Sequence, residues 1–402
     1  MSWPQAKLED VISFIRGVTF KPDDQVEALS QGSTVVMRTK NVQVAGLDQD
    51  DLIAIPSELV KRKEQALREG DILISSANSW ELVGKASYVP RLDYQATAGG
   101  FISIVRAKKS VIDSRYLYHW IASPSSQHKI RHCGRQTTNI SNLDVGRFKD
   151  LEIPLPPLTE QKRIAAILDK ADAIRRKRQQ AIQLADEFLR AVFLDMFGDP
   201  VTNPKGWEIT FMTSHGGFKN GLNFGKGEVG NSLRYLGVGD FKSLSTIDDV
   251  CSLGSVELDT LPAKDYLLEN GDLVFVRSNG NKALVGRCIT VYPNGEPLTF
   301  SGFCIRYRVE SGDVDPEYLN YLFRTPSMKQ AMLKGGQGAN IQNINQKILA
   351  ALEIPLPTKT LQEKFSKVVR VYRDSRLRVD CSFTDAENLF AAISQRAFSG
   401  EL

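Results

Sequence analysis

Over the first 150 residues, apolar positions come in short runs, such as "TVVMRTKNVQV", "GDILISS", "ASYVP" and "FISIVRA", cut by Gly, Asn, Asp and Pro. Such runs predict strands and turns. One stretch differs: "SRYLYHWIAS" sets aromatic and aliphatic residues at helical spacing and predicts a short helix. At residue 151 the pattern changes to "LEIPLP". Each Pro fixes its own φ and pushes the preceding residue to extended geometry, so this is a stiff strap and not a helix. From Thr159 to Phe197 there is no Pro or Gly, and apolar or small residues recur at 164, 167, 171, 174, 181, 185, 188 and 192. Steps of three and four, broken by Arg178, predict one long helix with a coiled-coil seam, roughly 58 Å long at 1.5 Å per residue. Thr159 is the expected N-cap, with Glu160 in the first turn.

The same sentence is then written again. "LEIPLPPLTEQ" at 151–161 and "LEIPLPTKTLQ" at 352–362 share eight of eleven residues. "GDILISSAN" at 70–78 meets "GDLVFVRSN" at 271–279, and "TAGGFISIVR" at 97–106 meets "TFSGFCIRYR" at 299–308. "DSRYLYHWIASPS" at 113–125 meets "DPEYLNYLFRTPS" at 315–327, and "GRQTTNI" at 134–140 meets "GGQGANI" at 335–341. Trp3, Gly17 and Phe20 fall opposite Trp207, Gly221 and Phe224. Collinear matches with so little drift identify a tandem duplication of a unit far too long for a solenoid repeat. In the second long helix Thr360 and Glu363 have capping-box spacing, and the stripe is Leu361, Phe365, Val368, Tyr372, Val379, Phe383, Ala386, Phe390 and Ile393.

One amphipathic helix of that length cannot bury its stripe on one small domain, but two can bury theirs on each other. The expected fold is therefore α+β: two globular mixed α/β heads and two long helices forming an antiparallel coiled coil, with pseudo-twofold symmetry. The expected boundaries are 1–157 for the first head, 158–198 for the first helix, 199–358 for the second head, and 359–402 for the second helix and tail.

Composition changes this picture little. A chain of 402 residues, 42% hydrophobic and 24% charged, is that of a multi-domain globular protein. A net charge of +4 permits a polyanionic partner without requiring one. Five scattered cysteines without C-x-x-C spacing suggest a reduced, cytoplasmic chain. The start "MSWPQAKLED" has no apolar core of a signal peptide, and no apolar run is long enough for a membrane span. Catalytic signatures are missing: there is no phosphate loop, no methyltransferase N/D-P-P-Y/F motif and no nuclease carboxylate pair. "GVGDF" at 237–241 reads as a turn, and His128 and His132 beside Cys133 read as residues near a helix end, without the further ligands a metal needs.

"LEIPLPPLTEQKRIAAILDKAD", preceded by "GRQTTNIS", followed by "AVFLDMFGD" and ending in "QRAFSGEL", resembles the specificity subunit of type I restriction-modification systems over the whole chain. The resemblance implies a non-catalytic DNA-recognition subunit. Each head would read one half of a split, asymmetric site in double-stranded DNA, and the helices would set the spacer. They would also dock two modification subunits, which bind S-adenosylmethionine and methylate adenine; two restriction subunits can join. No cofactor or metal is expected on the chain itself. The second copy departs from the family pattern: "TKTLQEKF" lacks one proline and the Lys-Arg pair.

Within such a layout, features shared by the copies read as scaffold, and loops that differ read as base readers, for which Arg, Lys, Asn and Gln are the suitable side chains. The candidates in the first head are Arg38, Lys40, Asn41, Ser76, Asn78, Ser79, Trp80 and Lys85. Those in the second are Lys219, Asn220, Arg277, Asn279, Asn281, Lys282 and Arg287. Ordinary solvated turns are the competing reading. The shared Gln136, Asn139, Gln337 and Asn340 are backbone-contact candidates that read equally as a structural turn. Gln161, Arg163, Ile167, Gln362 and Phe365 are the candidate partner contacts on the helices. The run Arg175, Arg176, Lys177, Arg178 reads foremost as a solvated helix face, with DNA backbone or an acidic partner as the alternative. Two other function classes stay open: a two-headed protein-binding scaffold with a coiled-coil spacer, and a self-sufficient DNA-modifying enzyme.

Overall fold

The computed structural model describes residues 3–136, 140–225, 227, 229–241, 245–334 and 343–402, with side chains left undescribed at 136 and 376–385. The chain divides into two compact units, one of residues 1–180 with 379–402 and the other of residues 181–378.

In the first unit, β1 (Gln5–Lys7), β2 (Ile12–Arg16), β3 (Ser33–Met37), β4 (Ile53–Pro56) and β5 (Ile72–Ser75) are followed by β6 (Ala77–Asn78), β7 (Ala86–Tyr88), β8 (Ala96–Ala98) and β9 (Ile102–Ala107). Helices α1 (Ser114–Ala122) and α2 (Pro124–His132) come next, then β10 (Gly134–Gln136), β11 (Ser141–Leu143), β12 (Glu152–Pro154) and the long α3 (Leu158–Phe197). The main sheet is antiparallel, in the order β2-β9-β5-β7. A second sheet, β8-β3-β4, has β8 parallel to β3. The predicted strands and the helix in "SRYLYHWIAS" are thus observed. Asp113 caps α1 by accepting from the amides of Arg115 and Tyr116, which is why the helix starts there.

The second unit repeats the plan. It has β13 (Glu208–Phe211), β14 (Gly216–Asn220), β15 (Asn231–Leu236), β16 (Thr246–Ile247), β17 (Ser255–Leu258), β18 (Asp272–Val276), β19 (Cys288–Val291), β20 (Leu298–Phe300) and β21 (Cys304–Val309). Then come α4 (Pro316–Phe323), α5 (Pro326–Lys334), β22 (Glu353–Leu356) and the long α6 (Lys359–Ser399). Its sheets run β14-β21-β18-β19-β16 and β17-β15-β20, again with one parallel pair in the smaller sheet.

The strap is a strand in both copies. β12 pairs antiparallel with β1, with Ile153 opposite Ala6, and β22 pairs with β13, with Ile354 opposite Thr210. The long helices begin at Leu158 and Lys359, where the expected boundaries put them, but their caps lie ahead of the expected Thr159 and Thr360: the amide of Gln161 donates to Pro157 O and that of Gln362 to Thr358 O. Pro157 and Thr358 therefore hold the cap positions, and Thr159 and Thr360 lie inside the first turn. Pro suits a helix start because it has no amide to orphan.

Each unit contains half of each long helix, packed antiparallel. In the first, Ile164 and Leu168 share a core with Phe390, Ile393, Ala397 and Leu402. In the second, Leu189, Phe193 and Phe197 share a core with Phe365, Val369 and Tyr372. The seam on α3 differs from the predicted stripe. Buried positions are 161, 164, 165, 168 and 172, then 189, 193 and 197, while Ile174 is 51% and Phe188 60% exposed. Leu168 and Asp172 take the places expected of 167 and 171, because the helix faces a head as well as a helix and widens its buried face.

Candidate nucleic-acid interface

Both heads are tied to their helices by the same three hydrogen bonds. In the first, Gln161 Nε2 donates to Pro156 O (2.8 Å) and Val111 O (3.2 Å), and Gln161 Oε1 accepts from the amide of Asp113 (2.8 Å). In the second, Gln362 Nε2 donates to Pro357 O (2.8 Å) and Asp313 O (3.1 Å), and its Oε1 accepts from the amide of Asp315 (2.8 Å). These side chains are 1% and 0% exposed, so each amide is used up joining strap, head and helix. Neither faces a partner, nor does the fully buried Phe365. Arg163 pairs with Glu160 (2.7 Å) and donates to Leu402 O (2.9 Å), and Ile167 is half-buried. Among the described residues, the large apolar side chains that the long helices offer to solvent are Ile174, Leu184, Phe188 and Leu194 on α3, and Val368, Val371 and Leu389 on α6.

Inside each head a second pair is repeated. Arg106 grips Asp71 with Nε and Nη2, both at 2.7 Å, and Arg308 grips Asp272 at 2.8 and 2.7 Å. The buried aspartate also accepts a turn amide, from Arg68 in one copy and Glu269 in the other. A bidentate pair with a third donor compensates the desolvation of the carboxylate.

The point where head meets helix is not repeated but inverted. In the first unit Arg115 of α1 binds Asp169 of α3, whose Oδ1 also lies 2.7 Å from His119 Nε2. Burial alone would raise the Asp169 pKa, but hydrogen bonds from His119 and Arg115 hold it down to about 2. In the second unit the head supplies the acid. Glu317 of α4, at the position matching Arg115, accepts from Tyr292 Oη (2.9 Å) and lies 3.3 Å from Arg373 of α6. Burial pushes the Glu317 carboxyl up, against its hydrogen bond from Tyr292. Asp172, which matches Arg373, is buried and binds Arg175 (2.8 Å) and Arg176 (2.6 Å). Those two arginines of the basic run are thus tied within the unit. Arg175 also lies over Phe390, 5.2 Å from its centroid, and Arg176 donates to Ala45 O.

The predicted readers fall into two groups. Some are structural. Asn41 is fully buried, with Oδ1 accepting from the amide of Arg38 (2.9 Å) and Nδ2 donating to Asp48 O (3.1 Å). Arg38 and Lys40 are paired with Asp51, and Lys219 is paired with Asp265 (3.1 Å) and lies 4.5 Å from the Tyr266 ring centroid. Lys85 donates to Gln43 Oε1 (3.1 Å), and burial pushes its ammonium down. It lines a cleft of about 500 Å³ with Arg131 and Arg175. Arg287 donates to Phe241 O (2.8 Å). Trp80 meets His132 edge-on, and His132 Nδ1 lies 2.8 Å from His128 O.

The others stand together at the end of a central strand. Beyond β5, Ser76 bends the chain into β6, and at the end of that strand Asn78 Oδ1 accepts the Ser79 amide (2.9 Å). Beyond β18, Asn279 Oδ1 accepts the Asn281 amide (2.7 Å) and Asn281 Oδ1 that of Ala283 (3.0 Å). These short loops leave Lys282 exposed and Arg277 half-exposed, neither with a side-chain partner among the described residues. Asn220, at the end of β14, which β21 separates from β18, is also exposed. The backbone of Gln136 is in β10, whereas Asn139, Gln337 and Asn340 lie outside the described residues. Sequence reading missed the charge inversion, which an aligned repeat shows as Arg115 against Glu317 and Asp172 against Arg373.

The family model of the type I restriction modification DNA specificity domain matches residues 2–184 and 231–376. The chain is 29% identical to the type I restriction enzyme StySPI specificity subunit of Salmonella potsdam, covering all of this chain and 89% of that one. It is 27% identical to the EcoKI specificity subunit of Escherichia coli K12 over the same shares. Among solved structures, the type I restriction-modification S subunit from M. genitalium superposes with a TM-score of 0.55 at 15% identity, over 99% of this chain and 96% of that one.

Proposed function

The chain belongs to the type I restriction modification DNA specificity family, and we propose that each head reads one half of a bipartite duplex site. DNA sequence recognition is the role of that family, and two tandem domains fit a two-part site. The observation that carries the assignment of halves to heads is the contrast within the repeat. The Gln161 and Gln362 joints and the Asp71–Arg106 and Asp272–Arg308 pairs coincide bond for bond. The loops after β5 and β18 differ: "SSANSWE" carries one acid and no base, and "VRSNGNK" carries two bases. One scaffold with two surfaces suits an asymmetric sequence, in which Arg277 and Lys282 are the residues suited to guanine or phosphate.

The chain works within an assembly in this reading. Phe188 and Leu389 stand 201 positions apart, at matched places on the two long helices, and are 60% and 58% exposed. Two equivalent apolar spots supply docking for two modification subunits, where S-adenosylmethionine and the methyl-transfer chemistry reside, and restriction subunits join that complex. The chain itself is non-catalytic and cytoplasmic in this proposal; among the described residues, no helix is long and apolar enough to cross a membrane. Co-expression with modification subunits, followed by methyl transfer to duplex DNA, tests it. Transfer should require both components; transfer by this chain alone would overturn the non-catalytic assignment.

A further inference from the structure

Phe101 and Phe303 are large aromatic side chains turned out into solvent, 64% and 58% exposed, at matched positions of the two heads. A single exposed aromatic means little. Here the whole setting is duplicated. Each ring is the third residue of a tight turn, closed by the Ile102 amide on Gly99 O (2.8 Å) in one copy and the Cys304 amide on Ser301 O (2.8 Å) in the other. Gly17 and Gly221 lie under these turns, and a Cβ on either would run into turn carbonyl oxygens. Their amides donate to Ile102 O and Cys304 O, both at 3.1 Å. The residue before each ring, Gly100 or Gly302, is pressed against Thr19 or Asn223. The turns are thus fixed from below, and both present Phe outward.

Each ring is also fastened to the loop that differs between heads. Phe101 O accepts from the Ser76 amide (2.9 Å), and Phe303 O from the Arg277 amide (2.8 Å). An exposed ring adds little to packing, so its retention in both copies needs another explanation. We propose that Phe101 and Phe303 are base-contacting residues, one per half-site, each making apolar contact with base edges beside the polar readers. A ring has no affinity for phosphate, whereas thymine methyl groups and base faces offer it apolar surface. This rests on the heads reading DNA, as proposed above.

The test uses the assembled complex, a duplex carrying its selected site, and duplexes with one half scrambled. Phe101→Ala should weaken binding to the intact site about tenfold or more, leave the salt dependence unchanged because no phosphate contact is lost, and leave the unfolding temperature in place. On a duplex with the first half scrambled, wild type and Phe101→Ala should bind alike. Phe303→Ala should behave in the same way for the second half. Unchanged affinity would overturn the proposal, as would equal weakening on every duplex or a fall in unfolding temperature. If the wild-type complex selects no duplex sequence, the DNA reading itself fails, and that outcome precedes any variant.

Discussion

Gln161 holds the carbonyl of Pro156 at 2.8 Å from inside the protein, so the strap and the helix that follows it are locked at one angle. Replacing Gln161 with Ala would leave the Val111 and Pro156 carbonyls and the Asp113 amide without their partner. Each orphaned buried group costs about 1–3 kcal/mol. Urea unfolding of Gln161→Ala should therefore show a loss of at least about 2 kcal/mol, and Gln362→Ala a similar one, because its bonds are the same. A near-neutral effect would mean that the joint does not hold the helix.

Arg106 and Asp71 are a buried bidentate pair, with side chains 14% and 2% exposed. Arg106→Met leaves a carboxylate buried with only the Arg68 amide to answer it. The expected loss is about 3 kcal/mol or more in equilibrium unfolding. Arg106→Met with Asp71→Leu should recover much of it, since removing both charges removes the desolvation penalty as well.

Asp169 titrates low in the folded protein, at about 2, under the hold of His119 and Arg115. An unfolded aspartate titrates near 3.9. The depressed folded value means that its contribution to stability is present above pH ~4 and is lost as pH falls towards 2. In acid titrations of stability, Asp169→Asn should be less stable than wild type near neutral pH. The gap should close between pH ~4 and ~2. A gap independent of pH over that range would assign the loss to packing and not to charge.

Arg115 and Glu317 occupy matched positions with opposite charges, and each faces the opposite charge on its own helix. The inversion disfavours seating a head against the helix of the other copy, where like charges would meet. Arg115→Glu should destabilise the first unit. Adding Asp169→Arg should restore part of the loss, with a coupling of about 1 kcal/mol in a double-mutant cycle.

Much of this architecture was legible in the chain. The duplication fixed the number of heads, and the strap was recognisable because alternating prolines admit little else. The helix caps differ from expectation because side-chain capping rules favour Thr159, whereas Pro157, with no amide to satisfy, sits ahead of it. The seam was read one residue off at 167 and 171, because periodicity does not tell which apolar residues face a head and which face a helix. The candidate site was legible only as loops. Whether Asn41 reads bases or holds a turn depends on its burial and on its bonds to Arg38, Asp48 and Asp51, which residue type alone does not reveal. Gln161 and Gln362 were visible as a repeated residue, but their roles as joints depend on carbonyls about 50 residues earlier.

Two heads that read two halves leave a distinct signature in the duplexes they select. The direct measurement is selection of bound duplexes from a random pool by the complex assembled with its modification subunits. It is performed on the wild type and on a chain whose residues 1–150 come from a relative of different sequence preference. Two defined blocks around an unspecified spacer are expected, with the exchange rewriting one block and leaving the other and the spacer intact. A single contiguous block, or an exchange that rewrites both, would contradict the assignment of one half to each head.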